Sequence, residues 1–277
     1  MDISSEMIHS LLPVFLVSTL GAGVFFVGLI EGVGEGATLV TRMFSGALSD
    51  WIRKRKALAL VGYGLGALSK PLFALASGVG LVFTARCVDR IGKGVRGAPR
   101  DALVADVTSP EQRGAAYGLR QSLDSIGAFL GPTLAVVLMA ITAESFRTVF
   151  WVAVIPGGIA VLILALGVRE PTEKLQTLSR QPFRFSGLTT LGAAYWSVVV
   201  IGAIFGLARF SEAFLLLRAQ DVGLRAGWVP LVLILMNAVY ALTAYPAGRM
   251  SDRLGPRGML VAGLGVLAVS DWVLGMT

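Results

Sequence analysis

The chain has 277 residues, of which 55% are hydrophobic and only 15% charged, with a formal net charge of +7 and a mean hydropathy of +0.75. Soluble domains carry about 25% charged residues, so this composition excludes a soluble globular protein and points to an integral membrane protein. One cysteine, Cys87, and one histidine, His9, exclude an internal disulfide and leave no Cys/His cluster, so no metal and no cofactor are expected.

Apolar runs long enough to cross about 30 Å of hydrocarbon predict an all-α chain with nine helices, at 3–20, 23–48, 57–79, 80–105, 114–141, 147–168, 193–217, 228–250 and 258–276. The loops after helices two, four, six and eight carry basic residues such as Lys54, Lys56, Arg113, Arg169 and Arg257, whereas the opposite loops carry little beyond Arg147, Arg218 and Arg225. Loop charge of this kind sets topology and meets anionic lipid rather than nucleic acid. It places the even-numbered helix ends in the cytoplasm of a multi-pass protein of the cytoplasmic (inner) membrane. The polar stretch 169–191, with Pro171 and Pro182, divides the chain. Residues 1–168 read as a six-helix bundle, 169–191 as a cytoplasmic linker and 192–277 as an incomplete bundle of three helices.

Helix four conflicts with its surroundings. Residues 86–101, RCVDRIGKGVRGAPRD, place Arg86, Asp89, Arg90, Lys93, Arg96, Arg100 and Asp101 within an arc of roughly 140° on a helix. Val88, Ile91, Val95, Ala98 and Ala102 occupy the other side. Each such charge costs about 2.5–3.5 kcal/mol at mid-bilayer, so the charged face must meet water, partner charges or a ligand.

Acids on other helices supply candidate partners and proton carriers, because a carboxyl group in a low dielectric can exchange its proton for a substrate or a paired cation. Glu31, Glu35 and Arg42 form one stripe on helix two; Glu6 and Asp2 lie in helix one; Asp124 follows Arg120 by one turn in helix five; Glu212 follows Arg209 in helix seven. His9, alone near a helix end, is read as a packing or interface residue. Lys70, beside Pro71 in helix three, is read as snorkelling to the membrane surface at a kink.

Two short repeats connect the halves. Gly46-Ala-Leu-Ser-Asp50 recurs as Gly248-Arg-Met-Ser-Asp252, 202 residues later, and Ser5-Glu6 recurs as Ser211-Glu212, 206 residues later. Parallel repeats of this size mark a large transporter architecture.

The first repeat, GALSDWIRKRK, resembles the cytoplasmic loop motif of the major facilitator superfamily. In that family this loop acts as a conformational latch, which the resemblance places on Gly46, Asp50 and Arg55, and in the second copy on Gly248, Asp252 and Arg253. Arg55 and Lys56 are expected beside lipid headgroups. Trp51 and Arg53 depart from the pattern. Arg86, Gly92 and Gly94 are similar to the family's fourth-helix motif, which has been linked to proton coupling. DISSEM at 2–7 and DRIGKGVRGAPRD at 89–101 resemble a poorly characterised bacterial and archaeal branch. In helix five, Gly118, Gly127, Gly131 and Pro132 resemble the motif of proton-coupled exporters; Gly127 and Gly131 permit close helix approach and Pro132 a bend.

The resemblance implies the major facilitator fold with about nine of an expected twelve transmembrane helices, so the chain is expected to be a fragment. It further implies a secondary active transporter of a small solute, proton-coupled and exporting, an antiporter rather than an enzyme, working as a monomer. The pathway residues are then Glu6, Glu31, Glu35, Arg42, Arg86, Asp89, Arg90, Lys93, Arg96, Arg100, Asp101, Asp124, Arg209 and Glu212, and the cationic face of helix four fits an anionic or zwitterionic substrate. The competing readings are a non-transporting membrane sensor on the same fold and a truncated product without function. A membrane enzyme acting on phosphorylated lipids lacks a nucleophile or an acid pair at catalytic spacing.

Overall fold

The computed structural model describes residues 1–52, 54–170, 192–208 and 211–276; at 194, 198, 204, 205, 207, 208, 244–257 and 259 it describes the backbone only. Every regular element among the described residues is helical. We number the main helices α1 (Asp2–His9), α2 (Val24–Ile52), α3 (Arg55–Leu75), α4 (Val79–Val107), α5 (Arg113–Ile141), α6 (Phe146–Gly167), α7 (Ala193–Ala208), α8 (Glu212–Asp221) and α9 (Leu231–Met276). Five segments, Val24–Ile52, Arg55–Leu75, Pro110–Ile141, Phe146–Gly167 and Ala226–Thr243, are long and apolar enough to cross a membrane, so the protein is multi-pass. The chain divides into two compact units, Met1–Leu233 and Ile234–Thr277.

Four predicted helices are cut differently. Helix one is interrupted after His9 and resumes as a short turn, Leu12–Val14, followed by a π-helical turn, Phe15–Thr19. Pro13 lies in the first turn of the resumed helix, where its missing N–H costs nothing. Within predicted helix seven, α7 is described as far as Ala208 and a new helix starts at Glu212, where the Ser211 hydroxyl accepts the Ala213 N–H at 3.3 Å and caps it. Predicted helices eight and nine run together as α9, 46 residues without a break at 251–257. Good helix formers flank Gly255-Pro256, and a single proline removes only one hydrogen bond from the ladder. At 1.5 Å per residue α9 is about 69 Å long, more than twice the hydrocarbon thickness; the apolar segment Ala226–Thr243 runs into its start and Leu260–Met276 forms its end.

Within Met1–Leu233, α4 is held between α2 and α3 by glycines. A Cβ on Gly62 of α3 would lie 2.6 Å from the Arg96 nitrogen, one on Gly92 would lie 2.7 Å from the Gly62 oxygen, and one on Gly94 would lie 2.7 Å from the Thr38 oxygen of α2. Hydroxyls add to the grip, with Ser45 of α2 donating to the Gly94 carbonyl at 3.0 Å.

On the other side, α1 docks on α5 and α6. A Cβ on Gly131 would lie 2.5 Å from the Cβ of Glu6, and one on Gly127 would lie 2.9 Å from that of Asp2. Ser4 donates to the Ala153 carbonyl of α6 at 2.6 Å. The glycine pair of helix five is thus the seat of the two helix-one acids. Gly118 meets nothing within 4 Å and makes no such contact.

An apolar core closes one end, where Phe15 meets Phe150 edge-on at 5.3 Å among Leu11, Leu12, Phe73 and Met139. The outer faces expose Phe25, Leu39, Leu119, Leu162 and Ile163, as lipid-facing surfaces do.

Candidate functional site

Four of the seven helix-four charges are buried. Arg86, Asp89, Arg90 and Arg96 are 1–4% exposed, while Ile91 on the opposite side is 38% exposed. This arrangement requires partners, since an unpaired buried charge costs several kcal/mol.

The partners of Arg86 and Arg90 come from α2. Arg86 pairs with Glu31, and Arg90 pairs with Glu35 at 3.0 Å. Both pairs of residues are spaced i, i+4, which stacks the two ion pairs as rungs between neighbouring helices. Gly34 makes the rungs possible, because a Cβ there would lie 3.1 Å from Arg90 Cγ and 3.4 Å from Arg86 Cγ.

Asp89 faces α3 and α1 instead. Its Oδ1 accepts from Lys70 Nζ at 2.7 Å, and Lys70 also donates to Ser5 of α1 at 3.0 Å. His9 places a ring nitrogen 3.9 Å from Asp89 Oδ2 and both ring nitrogens within 3.1 Å of Arg90 Nη2.

These two residues correct the sequence reading. Lys70 does not snorkel; its side chain is 1% exposed and points to Asp89, because a carboxylate inside the bundle is a nearer partner than the membrane surface. His9 is no packing residue at an interface but joins helices one and four at the ion-pair level. A lysine enclosed by apolar residues in helix three was itself the available signal. Nothing in the sequence marked His9.

Nearer the α4 C-terminus, Arg96 lies 3.7 Å from Asp2 with its guanidinium 4.8 Å above the Tyr63 ring. Asp101 receives Arg42 of α2 at 3.5 Å, Arg100 at 3.5 Å and Arg120 of α5 at 3.3 Å. Asp124 receives Arg100 at 3.8 Å and Arg120 at 3.4 Å. The stripe Glu31, Glu35, Arg42 therefore runs along the charged face of α4, each member opposite a residue of the other sign.

The loop motif forms a third cluster. Arg55 pairs with Asp50 at 3.1 Å and with Asp106 of α4, and donates to the Ala102 carbonyl at 3.2 Å. The expectation that Arg55 sits beside lipid headgroups is overturned, since its side chain is 7% exposed. Lys56 also turns inward to the Ala165 carbonyl, at 2.7 Å. The acid that draws Arg55 in, Asp106, lies 51 residues away and is not among the acids that the sequence pattern marks.

Glu6 and Lys93 differ from the rest. Among the described residues neither has an ion-pair partner, Lys93 is exposed near the middle of α4 and Glu6 is half-buried. Lys93 and Arg90 are the cations that act most strongly on the Glu6 carboxylate. Pro132 lies buried inside α5, next to Gly131. Glu212 begins α8, and Arg209 lies outside the described residues, as do the side chains of Gly248, Asp252 and Arg253. Among the described residues no three His, Cys, Asp or Glu side chains converge as metal ligands would.

The arrangement is a set of buried ion pairs between helices with apolar outer faces, a setting that in membrane proteins marks substrate and proton pathways. The family description Major Facilitator Superfamily matches residues 1–275. A protein of Methanocaldococcus jannaschii, named as an uncharacterized MFS-type transporter, is 32% identical over 269 residues, which are 95% of this chain and 66% of that protein. Multidrug resistance protein MdtH of Yersinia pestis is 26% identical over 276 residues, 97% of this chain and 66% of that protein. A crystal structure of a bacterial homolog to the human lysosomal transporter Spinster, inward-facing and occupied, has a TM-score of 0.67 at 16% identity over 92% of this chain and 59% of that one, which shows the shared fold. The chain spans 66% of the length of these curated relatives. With a family match over nearly its whole length and a 32% identical relative named as a transporter, the chain belongs to the Major Facilitator Superfamily of membrane transporters.

Proposed function

We propose that these residues form the major part of a secondary active transporter that moves a small solute by alternating access, coupled to protons and working as an exporter. The observation that carries this reading is the pairing of buried Arg86, Asp89, Arg90 and Lys70 inside a bundle with an apolar exterior, beside Glu6 and Lys93, which have no ion-pair partner among the described residues. Residues 1–168 then act as one bundle and 192–277 as part of a second, joined by the cytoplasmic linker 169–191. Glu6 carries the proton, Lys93 meets the substrate, and the Arg55 cluster latches the loop between α2 and α3. Export and proton coupling draw support from the seating of Glu6 on Gly131 and from the similarity to a multidrug resistance protein. The site of action is the cytoplasmic membrane, and the working unit a monomer.

The test uses the full-length protein in proteoliposomes with a trapped pH-sensitive dye, challenged with a panel of organic anions, zwitterions and lipophilic cations. At least one class should move protons in the wild type and fail to do so in K93Q, which replaces an exposed side chain and leaves the fold intact. A panel without any proton movement, or one transported equally well by K93Q, overturns the reading.

A further inference from the structure

Three arginines from three helices converge on the carboxylates of Asp101 and Asp124 with more donors than those carboxylates accept. Arg42 of α2, Arg100 of α4 and Arg120 of α5 approach Asp101 at 3.3–3.5 Å, and Arg100 and Arg120 approach Asp124 at 3.4–3.8 Å. Saturated charge-assisted hydrogen bonds between such groups are about 2.7–2.9 Å long. The pairs here are loose: the buried Nε of Arg100 lies 3.5 Å from Asp101 without a hydrogen bond, and that of Arg120 also lacks one. Asp2, which lies against Asp124 and pairs with Arg96 at 3.7 Å, belongs to the same cluster, so four guanidiniums stand against three carboxylates. The carboxylates gather the guanidiniums, Arg42 on Oδ2 of Asp101 and Arg100 and Arg120 on its Oδ1, without neutralising them.

The cluster is open and set back from the membrane surface. The Arg42 side chain is 60% exposed and those of Arg100, Arg120, Asp101 and Asp124 are 24–30% exposed. From the helix ends at Ile52, Val107 and Arg113, the positions of Arg42, Asp101 and Arg120 lie about 9–15 Å along the axes at 1.5 Å per residue. Guanidinium forks match the geometry of phosphoryl and carboxylate oxygens two at a time, and a compact oxyanion would supply both the missing charge and the missing acceptors.

We propose that Arg42, Arg100 and Arg120 form a binding site for an oxyanion of the phosphate or sulfate type, presented by the solute that the protein carries. The proposal deepens the transport reading and rests on it for the role of the site, while its test reads binding and needs no flux. Asp101 and Asp124 act as positioning residues that keep the forks converged, and Arg42, the most exposed of the three, is the first to meet the ligand.

The test is equilibrium binding of inorganic sulfate and inorganic phosphate to the full chain in phosphatidylcholine nanodiscs, with chloride at matched ionic strength as the control. Saturable binding of the two oxyanions is expected, weakened roughly tenfold or more in R42Q and in R120Q, the size of one lost charge-assisted contact, and unchanged in K56Q. R42Q replaces a mostly exposed side chain, so the test survives if R120Q fails to fold. Phosphatidylglycerol in the nanodisc that leaves sulfate binding intact supports a soluble ligand; displacement of sulfate by it supports the same oxyanion chemistry from a lipid headgroup and overturns the assignment to the carried solute. Binding that is absent, non-saturable or equal in R42Q overturns the site, even where transport is intact.

Discussion

Lys70 on α3 donates to Asp89 on α4 at 2.7 Å, with 1% and 5% of their side chains exposed. Removing one member leaves the other buried and charged, which costs about 3–5 kcal/mol, whereas replacing both by apolar residues is close to neutral. K70M and D89L should therefore each lower the unfolding midpoint in a detergent titration strongly, and the double variant should recover most of the loss. Two single variants as stable as the wild type would show that the pair is not formed in the membrane.

The seat of Glu6 on Gly131 makes a second prediction. A methyl group at Gly131 falls 2.5 Å from the Glu6 Cβ and 3.0 Å from the Ile3 oxygen, so G131A must push α1 off α5, at a cost of about 1–3 kcal/mol. G118A adds its methyl to open space and should stay within about 0.5 kcal/mol of the wild type. Thermal unfolding of the two variants separates them; equal midpoints would mean that the helix-five glycines do not set the α1 contact.

Arg55 ranks its two acids. The Asp50 side chain is 68% exposed and that of Asp106 is 13% exposed. A pair reaching into solvent contributes about 0–1 kcal/mol, and a buried acceptor lost to a cation about 1–3 kcal/mol. D106N should destabilise the protein more than D50N does, as read by the same thermal assay, and the reverse order would contradict the buried position of Arg55.

Glu6 has no ion-pair partner among the described residues, so its carboxyl group is free to exchange a proton. In E6Q the pH-gradient-driven accumulation of a transported solute should vanish, while exchange of labelled for unlabelled solute across the membrane continues. Undiminished pH-driven accumulation in E6Q would remove Glu6 from the coupling role.

Much of this organisation was legible in the residues themselves. The one-sided charge of residues 86–101 marked the face that must turn inward, and the i, i+4 spacing of Glu31 and Glu35 matched that of Arg86 and Arg90. The Gly127/Gly131 spacing marked a close contact. Lys70, His9 and Asp106 escaped because their roles depend on which helix lies opposite. A lysine can reach either the membrane surface or a carboxylate, and only the packing of α3 on α4 decides between them. The cap at Ser211 was missed for a related reason, since a serine inside an apolar run signals a helix start only when its hydroxyl meets the N–H two residues on.

The sequence alone determined that this is a multi-pass helical membrane protein with a polar face on its fourth helix, because hydropathy and helical periodicity are local properties carried by neighbouring residues. The family followed from short motifs whose spacing is also local. Tertiary structure alone decided which acid meets which base: Arg55 with Asp106, Lys70 with Asp89, and Arg42, Arg100 and Arg120 with Asp101. Ion pairs across a bundle depend on distances of a few ångströms between helices far apart in the chain, and those distances are set by the glycines that let the helices touch.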